Sequence, residues 1–409
     1  MEYRERAIET SLRRILRELP GVMLVGPRAV GKTTTAARYA RTLIRLDRPA
    51  EAAAFEADPD AALRDLAEPV VLDEWQVVPD CLGAVKRTVD VDPRPGRFLL
   101  TGSARIDLTA EQWPATGRLV RLPMFGMTVA ERGGRPHSRG LMALLAAGAE
   151  VASTPDSPDL RGYVELALQS GFPEPALALS GDTTRAWLEA YVDQLVTRDA
   201  DLVEPGRDPD RLRRYLEAYA VTSSGVVDET TLLEAAGINR KTAQAYERLL
   251  VNLHVVHRLP AWSTNRLKRL VKGPKRYLAD PGLFAGVLRV DVDGVMRDGA
   301  LMGRLLDALV VMHLRVEAEG SSSRPRLFHL RTEQGRHEVD VIGELAGGGV
   351  VAIEVKASAA PRADAARHLA WLKERLGTRF LAGAVLHTGP RTYALAEGII
   401  AAPIATLWS

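Results

Sequence analysis

GVMLVGPRAVGKTT, residues 21–34, is the stretch on which the fold turns. Its first five residues are a short apolar run preceded by Pro20, which predicts a buried strand over 21–25. Directly after it, Gly26-Pro-Arg-Ala-Val-Gly31-Lys32-Thr33 matches GxxxxGK[ST], and a helical pattern follows. A glycine-rich turn between a strand and a helix lets backbone N–H groups wrap a polyphosphate. The expected cradle is Gly26, Pro27, Arg28, Ala29, Val30, Gly31, Lys32, Thr33 and Thr34. In it Lys32 neutralises β/γ charge, and Thr33 is the expected Mg²⁺ ligand.

Outward from this loop, strand-like runs recur at 43–46, 70–72, 98–100 and 119–122, separated by helical stretches. That alternation predicts a parallel sheet with helices on both faces. Val70-Val-Leu-Asp73-Glu74 puts two acids at the carboxyl end of a strand. Asp73 is placed to hold Mg²⁺, and Glu74 to orient the attacking water. Phe98-Leu-Leu-Thr101-Gly-Ser103 ends in hydroxyls, where Thr101 and Ser103 would sense a γ-phosphate. Arg105, Arg118 and Arg121 are candidates for a charge-stabilising arginine, in cis or from a neighbouring subunit.

The rest of the sequence bounds the function. At 409 residues the chain predicts two or three domains. A net charge of +2 excludes a bulk polycation, so any basic surface must be local. The single cysteine, Cys81, cannot form an internal disulfide, which together with a charged start lacking an apolar core predicts a cytoplasmic protein. The longest apolar stretch, 141–152, is too short to span a bilayer, and no membrane association is expected. Composition changes near 131–136 and again at 153–158, giving expected domains at 1–135, 160–290 and 295–409.

GPRAVGKTT, VVLDEWQ and RFLLTGSA, in this order, resemble the AAA-type ATPase domain of a widespread prokaryotic family in which a C-terminal domain of undefined function follows. Gly171-Phe-Pro-Glu174, Arg198-Asp199, Lys275-Arg-Tyr-Leu-Ala-Asp280, Glu338-Val-Asp340 and Glu354-Val-Lys356 extend the resemblance over nearly the whole chain. It implies ATP rather than GTP, and no NKxD base-reading motif is present. Homo-oligomerisation is a further expectation, because such sites often borrow an arginine from a neighbour.

In the middle region, 211–221, 228–236 and 239–250 read as three helices, the last two joined by Ala236-Gly237-Ile238 and the last capped by Asn239. Arg240, Gln244 and Arg248 share a face of the third helix, with Lys241 beside them and Glu247 close to the basic stripe. The segment 258–279 carries Arg258, Arg266, Lys268, Arg269, Lys272, Lys275 and Arg276 and no acid before residue 280. With a turn at Gly273-Pro274 it predicts the basic wing of a winged helix. Arg240, Lys241, Gln244, Lys268, Arg269, Lys272 and Lys275 are therefore the expected DNA contacts.

The last part predicts an α/β module: a helix over 302–314, strands at 327–330, 339–342, 350–356 and 382–386, and a helix near 363–376. Asp340 lies on one strand, and Glu354 and Lys356, two apart on the next, face the same side of the sheet. This D…ExK spacing resembles the PD-(D/E)xK phosphodiesterase fold of restriction endonucleases and Holliday-junction resolvases. The resemblance implies Mg²⁺ on Asp340 and Glu354, Lys356 positioning water or stabilising charge, and Asp307 as an extra acid. His329, His337 and Arg331 have no metal-ligand spacing and read as structural or surface residues. The whole chain is thus expected to be an α/β protein: a P-loop parallel-sheet ATPase domain, a helical winged-helix region and a restriction-endonuclease-like module. Hydrolysis would alter how the last two hold DNA; the rival expectations are an ATP-gated switch acting on a protein partner, and a nuclease that uses ATP for assembly.

Overall fold

The computed structural model describes residues 2–102, 117–135, 140–203, 206–226, 229–265, 267, 269, 272–332 and 335–409. Ser103, Arg105, Arg266 and Lys268, singled out above, lie outside the described residues.

The first sheet has five strands: β1 (Gly21–Val25), β2 (Thr42–Arg45), β3 (Val70–Asp73), β4 (Phe98–Gly102) and β5 (Leu119–Pro123). They run in the order β2-β3-β4-β1-β5, and every neighbouring pair is parallel. β1, β3 and β4 are buried throughout, as strands covered on both faces must be, and hence read as continuous apolar runs. Because all strands point the same way, the loops after β1, β3 and β4 emerge along one edge. There Asp73 pairs in register with Thr101, and Leu24 with the same Thr101.

Helix Ile8–Leu16 packs against the long helix Gly299–Gly320. That long helix is buried nearly all round, because the first sheet's helical layer, the middle region and the C-terminal sheet all touch it. One apolar cluster therefore runs from Ile8 to Trp408 through all three regions. Separate clusters fill the far face of each large sheet.

The stretch between the first two expected domains packs on the C-terminal module. Helix Leu141–Ala146 packs on the C-terminal sheet, and Glu317 accepts the N–H groups of Met142 and Ala143. Farther on, Thr154 N–H donates to the Pro390 carbonyl and Thr392 N–H to the Ser153 hydroxyl.

In the middle, helices Pro209–Val221, Glu229–Ala236 and Arg240–Asn252 follow one another, with Asn239 accepting from Thr242 N–H as the cap. An antiparallel pair then forms from β6 (Val256–Leu259) and β7 (Lys275–Leu278). The connection between these strands departs from a free wing. Ala261 bridges to His329, Trp262 N–H donates to the His329 carbonyl, and His329 N–H donates to the Pro260 carbonyl, so the connection lies along the C-terminal sheet.

That sheet contains β8 (Arg326–Arg331), β9 (Glu338–Glu344), β10 (Val350–Val355), β11 (Phe380–His387), β12 (Tyr393–Ala396) and β13 (Ile399–Pro403). Its order is β12-β13-β11-β10-β9-β8, with β10, β11 and β13 mutually parallel and the remaining pairs antiparallel. Helix Arg367–Leu376 covers one face and Gly299–Gly320 the other.

Candidate functional site

Around the phosphate loop, backbone geometry and side-chain chemistry converge. Gly31 has φ 96°, a left-handed conformation that favours glycine. A Cβ on Gly26 would lie 2.2 Å from the Met124 carbonyl oxygen, so the turn after β1 is compatible only with glycine. Lys32 is buried, and its ammonium donates to the carbonyls of Gly26 (3.0 Å) and Pro27 (2.8 Å). Burial pushes its pKa down to about 8, against the pull of the Glu74 and Asp73 carboxylates. Val30 is buried, while Arg28, Ala29 and Thr34 are exposed.

The register of β3 and β4 delivers the second part. Asp73 Oδ1 accepts the Thr33 hydroxyl at 2.7 Å and also the Thr101 hydroxyl. Three segments distant in sequence thus meet on one carboxylate oxygen. The next residue, Glu74, has φ 54°, a strained backbone for a non-glycine residue, and its carboxylate is held by the Gln76 amide. Gln76 closes the VVLDEWQ stretch, whose reading assigned it no role.

Two clamps hold the loop from outside, and the pairing of neither was foreseen, although Arg28 and Asp199 each stood in a quoted motif. Arg6 donates to the carbonyls of Val30 (2.9 Å) and Phe125 (2.6 Å), with Glu131 3.3 Å from its Nε. On the other side, Arg28 pairs at 2.5 Å with Asp199, the last residue of a π-helical turn, Leu195–Asp199. Such turns mark functional sites in many helices. Beside Gly26 and Pro27 lies a cavity of about 300 Å³ whose other walls include Phe125, Arg248, Arg258 and Arg315. It therefore joins the loop to the middle region and the long helix.

Two of the candidate arginines are placed away from this edge. Arg118 precedes β5, at the opposite end of the sheet, where it pairs with Asp90 at 2.8 Å; Arg121 sits in mid-strand, exposed.

On the middle region, Arg240, Lys241, Gln244 and Arg248 are exposed on one helix, while Glu247 is buried and pairs with Arg258 and Arg276. Two expected DNA contacts are corrected by their surroundings. Arg269 makes a fork of 2.7 and 2.8 Å to the two oxygens of Glu344, and Trp262 Nε1 donates to the same carboxylate. Lys275 is 1% exposed and points into the C-terminal module. Both are drawn inward because buried carboxylates there need neutralising. Lys272 is half-buried and donates to the Arg331 carbonyl.

The C-terminal acids do come together, but around a lysine. Lys275 Nζ lies 2.7 Å from Asp340 and 3.6 Å from both Asp307 and Glu338. Asp340 also accepts the Val355 N–H, and Asp307 the Tyr277 hydroxyl. Lys356 donates to Glu354 at 3.2 Å. Burial penalises the charge of each acid here. For Asp340 the neighbouring Lys275 outweighs it, holding the carboxyl below the usual range. Asp307, instead, is pushed up to about 7, and Glu354 to about 8.

This donor set does not fit the expected Mg²⁺ on Asp307, Asp340 and Glu354. Among the described residues no group of three or more His, Cys, Asp or Glu side chains is placed to hold a metal ion. A lysine ammonium sits among these acids, 2.7 Å from Asp340. His329 is buried against the Gly273 carbonyl, and His337 stacks on Trp371 at 4.1 Å.

The parallel sheet, the glycine loop with its lysine after β1 and the acid at the end of β3, with β4 between the two strands, define a P-loop domain of the AAA type, a class that binds ATP. Residues 20–132 match the family model described as an AAA domain. Residues 160–293 and 302–407 match two further models, each described as a domain of unknown function. Uncharacterised proteins of Mycobacterium tuberculosis and Mycobacterium bovis are each 26% identical over 397 residues, 96% of this chain and 82% of theirs. Among solved structures, the Walker-type ATPase of Pyrococcus abyssi covers 69% of this chain and 95% of its own, at 15% identity and a TM-score of 0.39. No helix among the described residues is long and apolar enough to cross a membrane.

Proposed function

We propose that the chain is a Mg²⁺-dependent ATPase whose nucleotide state is passed to the middle and C-terminal regions. The observation that carries the reading is the meeting of Thr33 and Thr101 on Asp73, beside a buried Lys32. Such a hydroxyl–carboxylate pair suits Mg²⁺, which keeps much of its water and takes one or two protein oxygens beside phosphate. When bound, the ion would draw charge from the phosphates. Thr33 and Asp73 hold it, Lys32 faces the β/γ charge, Glu74 orients water, and Thr101 reports on the γ-phosphate position. Arg28–Asp199 and the basic cavity beside Gly26 are the proposed routes outward to the middle region.

DNA is the proposed partner, through Arg240, Lys241, Gln244 and the half-buried Lys272. A second reading, a switch acting on a protein with an inactive C-terminal site, is favoured by one observation. Arg269 and Lys275, charges expected to meet phosphates, are spent inside the molecule. Steady-state ATP hydrolysis with Mg²⁺, with and without duplex DNA and with Lys32→Ala as the blank, tests both. A rate that rises with DNA and vanishes in the variant supports the first reading. A rate indifferent to DNA supports the second, and an unchanged rate in Lys32→Ala removes the ATPase.

A further inference from the structure

The acidic site of the C-terminal module already contains a cation, and it comes from another part of the chain. On β7, alternation sends Lys275 and Tyr277 to the same face and Arg276 to the other. Arg276 meets Glu247 of the middle region, whereas Lys275 and Tyr277 reach Asp340 and Asp307. Both oxygens of Asp340 are occupied, one by the Lys275 ammonium and one by the Val355 N–H.

We infer that Lys275 is the resident cation of this site, and that Asp340, Asp307 and Lys275 form an internal ion clamp joining the β6–β7 hairpin to the C-terminal module. An ammonium buried to this degree is tolerated only where carboxylates compensate it, and the carboxylates are equally unfavourable without it. The hairpin is stitched to the same sheet by independent bonds, at Trp262–His329, His329–Gly273 and Arg269–Glu344, so Lys275 enters on a fixed frame. A divalent cation at these acids would have to displace a hydrogen-bonded ammonium held by the fold. The inference does not depend on the nucleotide reading, which concerns a different edge of the molecule.

A double-mutant cycle on the full-length protein tests the clamp by thermal melting. Lys275→Met and Asp340→Asn each lower Tm, and the double variant recovers most of the loss, because neither buried charge is then left alone. Strictly additive losses would overturn the clamp. If a single variant fails to fold, electron paramagnetic resonance of added Mn²⁺ decides on a chain that keeps the whole cluster. Asp73→Ala, which lacks the phosphate-loop acid, takes up no Mn²⁺ without nucleotide. Uptake of one equivalent by that variant, lost on adding Glu354→Gln, would make the acids a metal centre and sink the proposal.

Discussion

Arg28, inside the phosphate loop, holds Asp199 of the middle region at 2.5 Å, and the Tyr191 hydroxyl reaches the Arg28 carbonyl at 3.4 Å. The nucleotide loop is thereby tied to a π-helical turn that the first domain does not own. Asp199→Asn leaves the loop glycines intact but removes the charge that orients Arg28. The expected result is a KM for ATP raised several-fold, about 1 kcal/mol for a half-exposed pair, with kcat little changed. Michaelis curves for both proteins check this.

Asp73 and Glu74 should separate in their effects. Asp73→Ala strands the buried Thr101 hydroxyl and one side of Thr33, costing about 1–3 kcal/mol of stability and raising the Mg²⁺ concentration for half-maximal rate. Glu74→Gln keeps ATP binding and lowers kcat by roughly 10²-fold. Equilibrium binding of a fluorescent ATP analogue beside a turnover assay distinguishes the two.

Glu354 sets a pH dependence of stability. Burial, then the charge of Asp340, raises its folded pKa to about 8, above the unfolded value near 4.5. The folded state binds the extra proton, so this contribution is complete below pH 4.5 and is lost as pH rises through 8. Glu354→Gln should therefore melt above wild type at pH 9 and lose that advantage at pH 5. Melting curves at the two pH values decide it.

Arg269 and the helix bearing Arg240 make opposite predictions. Arg269→Ala leaves the half-buried Glu344 to Trp262 and Arg379, with a stability loss of about 1–2 kcal/mol and no change in DNA affinity per folded molecule. Replacing Arg240, Lys241 and Gln244 with alanine leaves Tm near wild type. It weakens DNA binding and flattens the salt dependence of log K by about two, one for each lost cation. Chemical denaturation and binding at several salt concentrations read both.

The first sheet was legible because its strands are short apolar runs closed by glycine, proline or acids. The meeting of Asp73 with Thr101 follows once β3 and β4 are neighbours. The C-terminal strands through β11 were legible for the same reason, and β12 and β13 were missed because the short apolar runs of 393–403 are diluted by alanine and broken by Glu397-Gly398. What sequence spacing could not reveal was direction. Lys275 lies in a run of basic residues that reads as one solvated patch, and only its pairing with Leu259 on β6 sends it into the acids. Likewise Asp199 is 171 residues from Arg28, and no local pattern relates them.

Glu317, which closes the first turn of helix Leu141–Ala146, is 175 residues beyond Met142. At 5–20 residues per second a ribosome takes roughly 10–35 s to cover that interval. Throughout it Leu141, Met142 and Leu145, all buried in the finished protein, lack the C-terminal sheet on which their helix packs. The nascent chain therefore carries an apolar segment in waiting, suited to chaperone capture, until the last quarter of the protein emerges to claim it.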